Sequence, residues 1–122
     1  MNIVDSSAWL SWFADDRNAK YFVEPIQSIE NLLVPAVTLT EVFKNMLRQT
    51  NERSALQAVT QMRLGKVIPL DDTLAIESAR IGLQLKLPLA DSIIYATAQR
   101  CNALLWTRDA DFKGLPGVKY FA

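Results

Sequence analysis

The chain has 122 residues, half of them apolar, enough for one domain with a real core and too few for two. Thirteen Lys and Arg balance thirteen Asp and Glu, so no strongly basic surface advertises nucleic acid and any polyanion site must be local. Histidine is absent and Cys101 is the sole cysteine, which excludes Ser-His-Asp and Cys-His catalysis, an internal disulfide and the usual zinc ligands. A reducing cytoplasm is the expected setting, and no apolar run has the length of a membrane span.

Taken in chain order, short β-branched or leucine-rich runs alternate with longer amphipathic ones. The strands are predicted at "NIVD" near residue 2, "LLVPAV" at 32–37, "KVIPL" at 66–70, "ALLWT" at 103–107 and "VKYF" at 118–121. Between them apolar residues recur at helical spacing: Val42, Phe43, Met46 and Leu47; Leu56, Val59 and Met62; Ile76, Ala79 and Leu83. Helices are predicted to start at Ser6 or Ser7, at Thr38, at Asp71 or Asp72, and at Pro88, a natural first helical residue. "GLPG" at 114–117 is a turn feeding the last strand. Such alternation predicts a single α/β domain over residues 1–122, with a mostly parallel sheet covered on both faces.

Asp5, Asp109 and Asp111 then fall at or just past the carboxyl ends of strands, the edge where open parallel sheets collect ligands. Each acid has a structural explanation of its own. Asp5 serves as a helix cap, Thr38 and Glu41 have the spacing of a capping box, Asp91 suits the first turn of a helix, and "TRDADF" makes an Asx turn. Jointly they close strand 1, open the helix after strand 2, open the helix before strand 4 and follow strand 4, so all reach one crevice. Clustered carboxylates repel one another unless a cation relieves them, and an all-oxygen set suits Mg²⁺ or Mn²⁺. Asp71 and Asp72 also follow a strand, but capping accounts for them and no other segment supplies a partner.

The stretches "IVDSSAWL", "TEVFK", "LPLADSIIYATA" and "LLWTRDADFKGLPGV" resemble, in order and separation, the signature stretches of the PIN-domain ribonucleases, and within them the VapC toxins of bacterial toxin–antitoxin pairs. The resemblance spans the whole chain. It implies a three-layer α/β/α sandwich around a five-stranded sheet of order 3-2-1-4-5, metal-dependent endoribonuclease activity, a homodimer, and inhibition by a cognate antitoxin in a hetero-oligomer. It places the catalytic acids at Asp5, Glu41, Asp91 and Asp109, with Ser7 and Thr107 as supporting hydroxyls. Asp111, before Phe112, competes for the last role, and Asp109 ranks first because it lies closer to the strand end.

On this reading Asp5 and Asp91 hold the principal ion, Glu41 helps to hold it or orders its waters, and Asp109 supports a second. A bound ion acidifies water near neutrality, so hydrolysis of a phosphodiester needs no histidine. Lys44, Arg48, Arg108 and Lys113 are the candidates for RNA backbone contacts, although a solvated helix face explains Lys44 and Arg48 equally well. Trp9, Trp12 and Phe13 fit core packing better than base stacking. Two alternatives stay open: a PIN-like fold kept for binding without catalysis, and a receiver-like phosphate-accepting module. The receiver wants an acidic pair after strand 1, where this chain has Asp5, Ser6 and Ser7.

Overall fold

The computed structural model describes residues 1–122. Five short strands, β1 (Asn2–Val4), β2 (Leu32–Pro35), β3 (Lys66–Ile68), β4 (Leu104–Thr107) and β5 (Val118–Tyr120), form one sheet of order β3-β2-β1-β4-β5. All four pairings are parallel; Ile3 is in register with Leu33 on one side and Leu105 on the other. Six helices surround it: α1 (Ser6–Ala14), α2 (Val23–Gln27), α3 (Ala36–Gln49), α4 (Glu52–Met62), α5 (Asp72–Leu85) and α6 (Leu89–Arg100). Single 3₁₀ turns at Ala19–Phe22, Ile29–Asn31 and Ala110–Phe112 complete the chain.

Side chains alternate across each strand, and the alternation builds two cores. Val4, Leu32, Val34 and Trp106 point to one face, where they meet Trp9, Phe22, Val42 and Met62. Ile3, Leu33 and Leu105 point to the other, against Ile94, Tyr95, Ala98 and Phe112. The result is the expected α/β/α sandwich. Trp9 is fully buried and stacks on Phe13 with centroids 5.6 Å apart, so the aromatic cluster of α1 packs the core. Between α5 and α6 the backbones approach so closely that a Cβ at Gly82 would collide with Ser92 Oγ. Ser92 Oγ in turn donates to the carbonyls of Leu87 and Pro88, fixing the start of α6.

Several boundaries differ from the sequence expectation, the third strand among them, which ends at Ile68 and not at Leu70. The second strand ends at Pro35, and α3 begins at Ala36 instead of Thr38. Pro35 occupies the cap position, and the helix extends back through Ala36 and Val37. Thr38 therefore lies inside the helix, where its hydroxyl donates to the Pro35 carbonyl at 2.7 Å, and no capping box with Glu41 forms. Pro88 holds the cap position before α6, with Leu89 as the first helical residue. The segment 19–31, which carried no predicted element, forms α2 and two 3₁₀ turns.

Candidate active site

Asp5 ends β1 and caps α1, and its carboxylate is almost fully buried. One oxygen, Oδ1, accepts from Ser7 Oγ at 2.8 Å and from the Ala8 amide at 3.1 Å; the other, Oδ2, accepts from Thr107 Oγ1 at 2.8 Å. Both hydroxyls are themselves oriented by consecutive main-chain amides, since Arg108 N donates to Ser7 Oγ at 3.1 Å and Asp109 N donates to Thr107 Oγ1 at 2.8 Å. A hydroxyl that accepts from an amide has its proton free to donate onward, so both protons go to Asp5. Burial raises the Asp5 pKa from 3.8 to about 6, against the lowering effect of Ser7, Thr107 and Ala8, and Asp109 adds repulsion.

Glu41 projects from the second turn of α3, and its Oε1 accepts from Ser6 Oγ at 2.5 Å. Asp91 stands in the first turn of α6, half-buried, with no donor from the protein. Its pKa rises from 3.8 to about 8, through burial first, then through the charge of and hydrogen bonding with Asp109, and through the charges of Asp5 and Glu41. The four acids predicted from four distant segments thus act on one another at the carboxyl edge of β1 and β4. Asp109 caps the 3₁₀ turn after β4, its Oδ1 accepting from Asp111 N at 2.9 Å. Asp111 is exposed, yet one carboxylate oxygen from each of Asp91, Asp109 and Asp111 lies within 4.8 Å of the others. Asp109 and Asp111 thus stand side by side in one cluster with Asp91.

No salt bridge neutralises this set: the three ion pairs of the molecule are Arg80–Glu77, Arg100–Asp71 and Arg108–Asp16. Five carboxylates without a cationic side chain, offering only oxygen donors, fit a hard divalent cation and no softer metal. Asp71 caps α5 through Leu74 N as the sequence suggested, but, against the expectation that no other segment supplies a partner, it pairs with Arg100 of α6 at 3.0 Å.

The predicted cations are placed differently from one another. Arg108 is tied to Ser11 Oγ at 2.6 Å and to Asp16 Oδ2 at 3.1 Å. Lys113 is exposed and lies over the Tyr120 ring, 5.5 Å from its centroid. Lys44 and Arg48, with Arg63, rim an apolar groove of 850 Å³ between α3 and α4, floored by Leu39, Phe43, Leu47 and Val59. Two participants escaped the sequence reading. Ser6 reads in the sequence only as a helix start, and Asp16 carries no local signal; the partnerships of both span long sequence separations that local patterns do not encode.

The family model described as PIN domain matches residues 3–118. The chain belongs to the PIN domain family. Solved structures of similar shape include a toxin–antitoxin complex from Klebsiella pneumoniae, with TM-score 0.82 and 27% identity, covering 98% of this chain and 96% of that one. VapC20 of Mycobacterium tuberculosis, described as a sarcin–ricin loop cleaving toxin, superposes with TM-score 0.82 at 16% identity, over 97% of each chain. FitAcB of Neisseria gonorrhoeae gives TM-score 0.75 at 20% identity, over all of this chain and 97% of that one. No curated protein matches the chain in sequence. The likeness in fold extends over nearly the whole of each chain. No helix of this PIN chain is long and apolar enough to cross a membrane.

Proposed function

We propose that this PIN domain is a metal-dependent endoribonuclease of the VapC toxin type, hydrolysing RNA phosphodiester bonds and held in check by an antitoxin. The observation that carries the reading is the gathering of Asp5, Glu41, Asp91 and Asp109 at one sheet edge, where the charges of the other three raise the Asp91 pKa and no ion pair relieves them. Repulsion of this kind destabilises a fold unless a proton or a cation relieves it, and clustered carboxylates with perturbed pKa values mark functional sites.

Asp5 and Asp91 are the ligands proposed for Mg²⁺ or Mn²⁺, Glu41 supports them, and Asp109, with Asp111 beside it, faces a second ion. When bound, the cation supplies positive charge for the scissile phosphate and acidifies the attacking water. Ser7 and Thr107 hold the Asp5 carboxylate with both oxygens engaged, so it meets the ion in one orientation. Asp91 carries a proton near neutrality in the cation-free protein and releases it on loading, so uptake is proton-linked. Lys113, exposed on the surface, is the side chain proposed to steady RNA phosphates, whereas Arg108 is held by Ser11 and Asp16.

The groove between α3 and α4 suits the antitoxin better than RNA: an apolar floor framed by Lys44, Arg48 and Arg63 matches an amphipathic segment with acidic flanks. For the homodimer, α5 and the start of α6 expose Ile76 at 63%, Leu83 at 85% and Leu89 at 79%. Acids lie toward the start of α5 (Asp72, Glu77) and bases toward its end (Arg80, Lys86), so an antiparallel copy is charge-complementary.

The test is incubation of the purified chain with an RNA panel, including a sarcin–ricin-type hairpin, with and without Mg²⁺ or Mn²⁺. Cleavage should require the cation and vanish in Asp5→Asn and Asp91→Asn. Cleavage that survives chelator, or persists unchanged in both variants, removes the metal reading and leaves a PIN fold kept for binding.

A further inference from the structure

We propose that Arg108 and Asp16 form a latch that positions the Asp5 carboxylate, making both positioning residues for the cation site. This rests on the endoribonuclease reading and deepens it. Arg108 joins the loop after β4 to α1 at two heights. Its main-chain amide donates to Ser7 Oγ in the first turn, and its Nη1 donates to Ser11 Oγ one turn later and to Asp16 Oδ2 beyond the helix end.

Asp16 is fixed in turn. Asp15 ends α1 with φ of 50°, in the left-handed region, which reverses the chain and sets Asp16 under the loop. There Asp16 Oδ1 accepts from Asn18 N at 2.8 Å, and its main chain bonds to Ser11 O and Ala19 N. Arg108 Nε is buried with no partner, a cost that the bonds to Ser11 and Asp16 must offset.

What the latch holds is the pair of amides at Arg108 and Asp109. Those amides aim the hydroxyls of Ser7 and Thr107 at the two oxygens of Asp5, and Asp109 is itself one of the clustered acids. A shift of this loop against α1 disturbs both protons donated to Asp5 and moves Asp109. The Arg108–Asp16 pair is itself about one-third exposed on each side, so water and salt screen it and its part in global stability is small. That separates positioning from scaffolding.

Asp16→Asn removes the charge while its amide oxygen can still accept from Asn18 N; Arg108→Met breaks the latch from the other side, and Arg108→Lys keeps the charge without the fork. Manganese binding by titration calorimetry, amide hydrogen exchange at Arg108 and Asp109, and RNA cleavage with KM and its salt dependence are measured on each. The latch predicts that Asp16→Asn and Arg108→Met raise the Mn²⁺ Kd about tenfold, as lost support of ligands does elsewhere. It also predicts faster exchange at both amides, a lower kcat, near-unchanged melting temperature and KM, and an intermediate Arg108→Lys. Unchanged Mn²⁺ affinity and exchange overturn it, as does a change confined to KM and salt slope, which makes Arg108 an RNA contact. If the wild-type chain neither binds Mn²⁺ nor cleaves RNA, the endoribonuclease reading fails separately. Exchange then decides the latch alone, faster exchange upholding it as a loop-positioning device and unchanged exchange refuting it.

Discussion

Replacing Asp5 with Asn should stabilise the cation-free protein at neutral pH and abolish its response to metal. The Asp5 carboxyl titrates at about 6 in the folded chain against 3.8 for the free side chain, because burial outweighs its hydrogen bonds. At about 1.36 kcal/mol per pH unit, that rise corresponds to about 3 kcal/mol of destabilisation once the group is fully ionised. The sign follows from proton linkage: the folded state holds a proton that the unfolded state releases, so stability falls as pH rises from 3.8 through 6 and levels off above. Asn keeps the helix cap and the Ser7 bond but turns an N–H toward Thr107, whose hydroxyl then loses its acceptor at a cost of about 1–2 kcal/mol. In chelator, Asp5→Asn should therefore be less stable than wild type near pH 4 by about 1–2 kcal/mol and more stable near pH 7.5 by a similar amount. Urea denaturation at the two pH values, compared at constant m, measures this. A stability difference that does not change with pH refutes the claim that burial of this carboxylate opposes folding.

Gly82→Ala should cost about 1–3 kcal/mol, seen as a lower urea midpoint, because the added methyl collides with Ser92 Oγ where α5 crosses the start of α6. The same change should weaken Mn²⁺ binding through Asp91, which rides on that turn. Asp71→Ala should lose about 1 kcal/mol of helix capping while leaving RNA cleavage intact, which a simple cleavage assay checks. Asp109→Asn should cut kcat more than Asp111→Asn, since Asp109 raises the Asp5 and Asp91 pKa values and Asp111 is exposed. Equal losses would make the two acids equivalent.

The strand–helix alternation and the edge on which the acids fall were legible because both depend on short-range patterns, whereas the sheet order was implied only by the family resemblance. β-branched runs bounded by polar turns mark strands, and a carboxylate just past a strand end has little choice about which edge it occupies. Asp5 shows that a structural explanation and a functional one need not compete: the residue caps α1 and belongs to the acid cluster at once. Glu41 shows the opposite error, since the capping-box spacing with Thr38 was satisfied in sequence and yet replaced by a bond to Ser6, from 35 residues away. The helix start could not be read there because Pro35, a poor interior helix residue, still makes an acceptable cap. Arg108 looked like a free cation for RNA, and nothing local announced Asp16 as its partner, 92 residues earlier in the chain. Pairings of that separation are set by how the sheet brings β4 beside α1.

The most direct test of the central claim, that carboxylates from four segments create a site that a divalent cation relieves, is thermal unfolding of the wild-type chain at pH 7.5 across a Mn²⁺ titration. The account predicts a melting temperature that climbs with Mn²⁺ and a climb that disappears in the Asp5→Asn, Asp91→Asn double variant, which should itself melt higher than cation-free wild type. A wild-type melting temperature indifferent to Mn²⁺, or the same climb in the double variant, contradicts it.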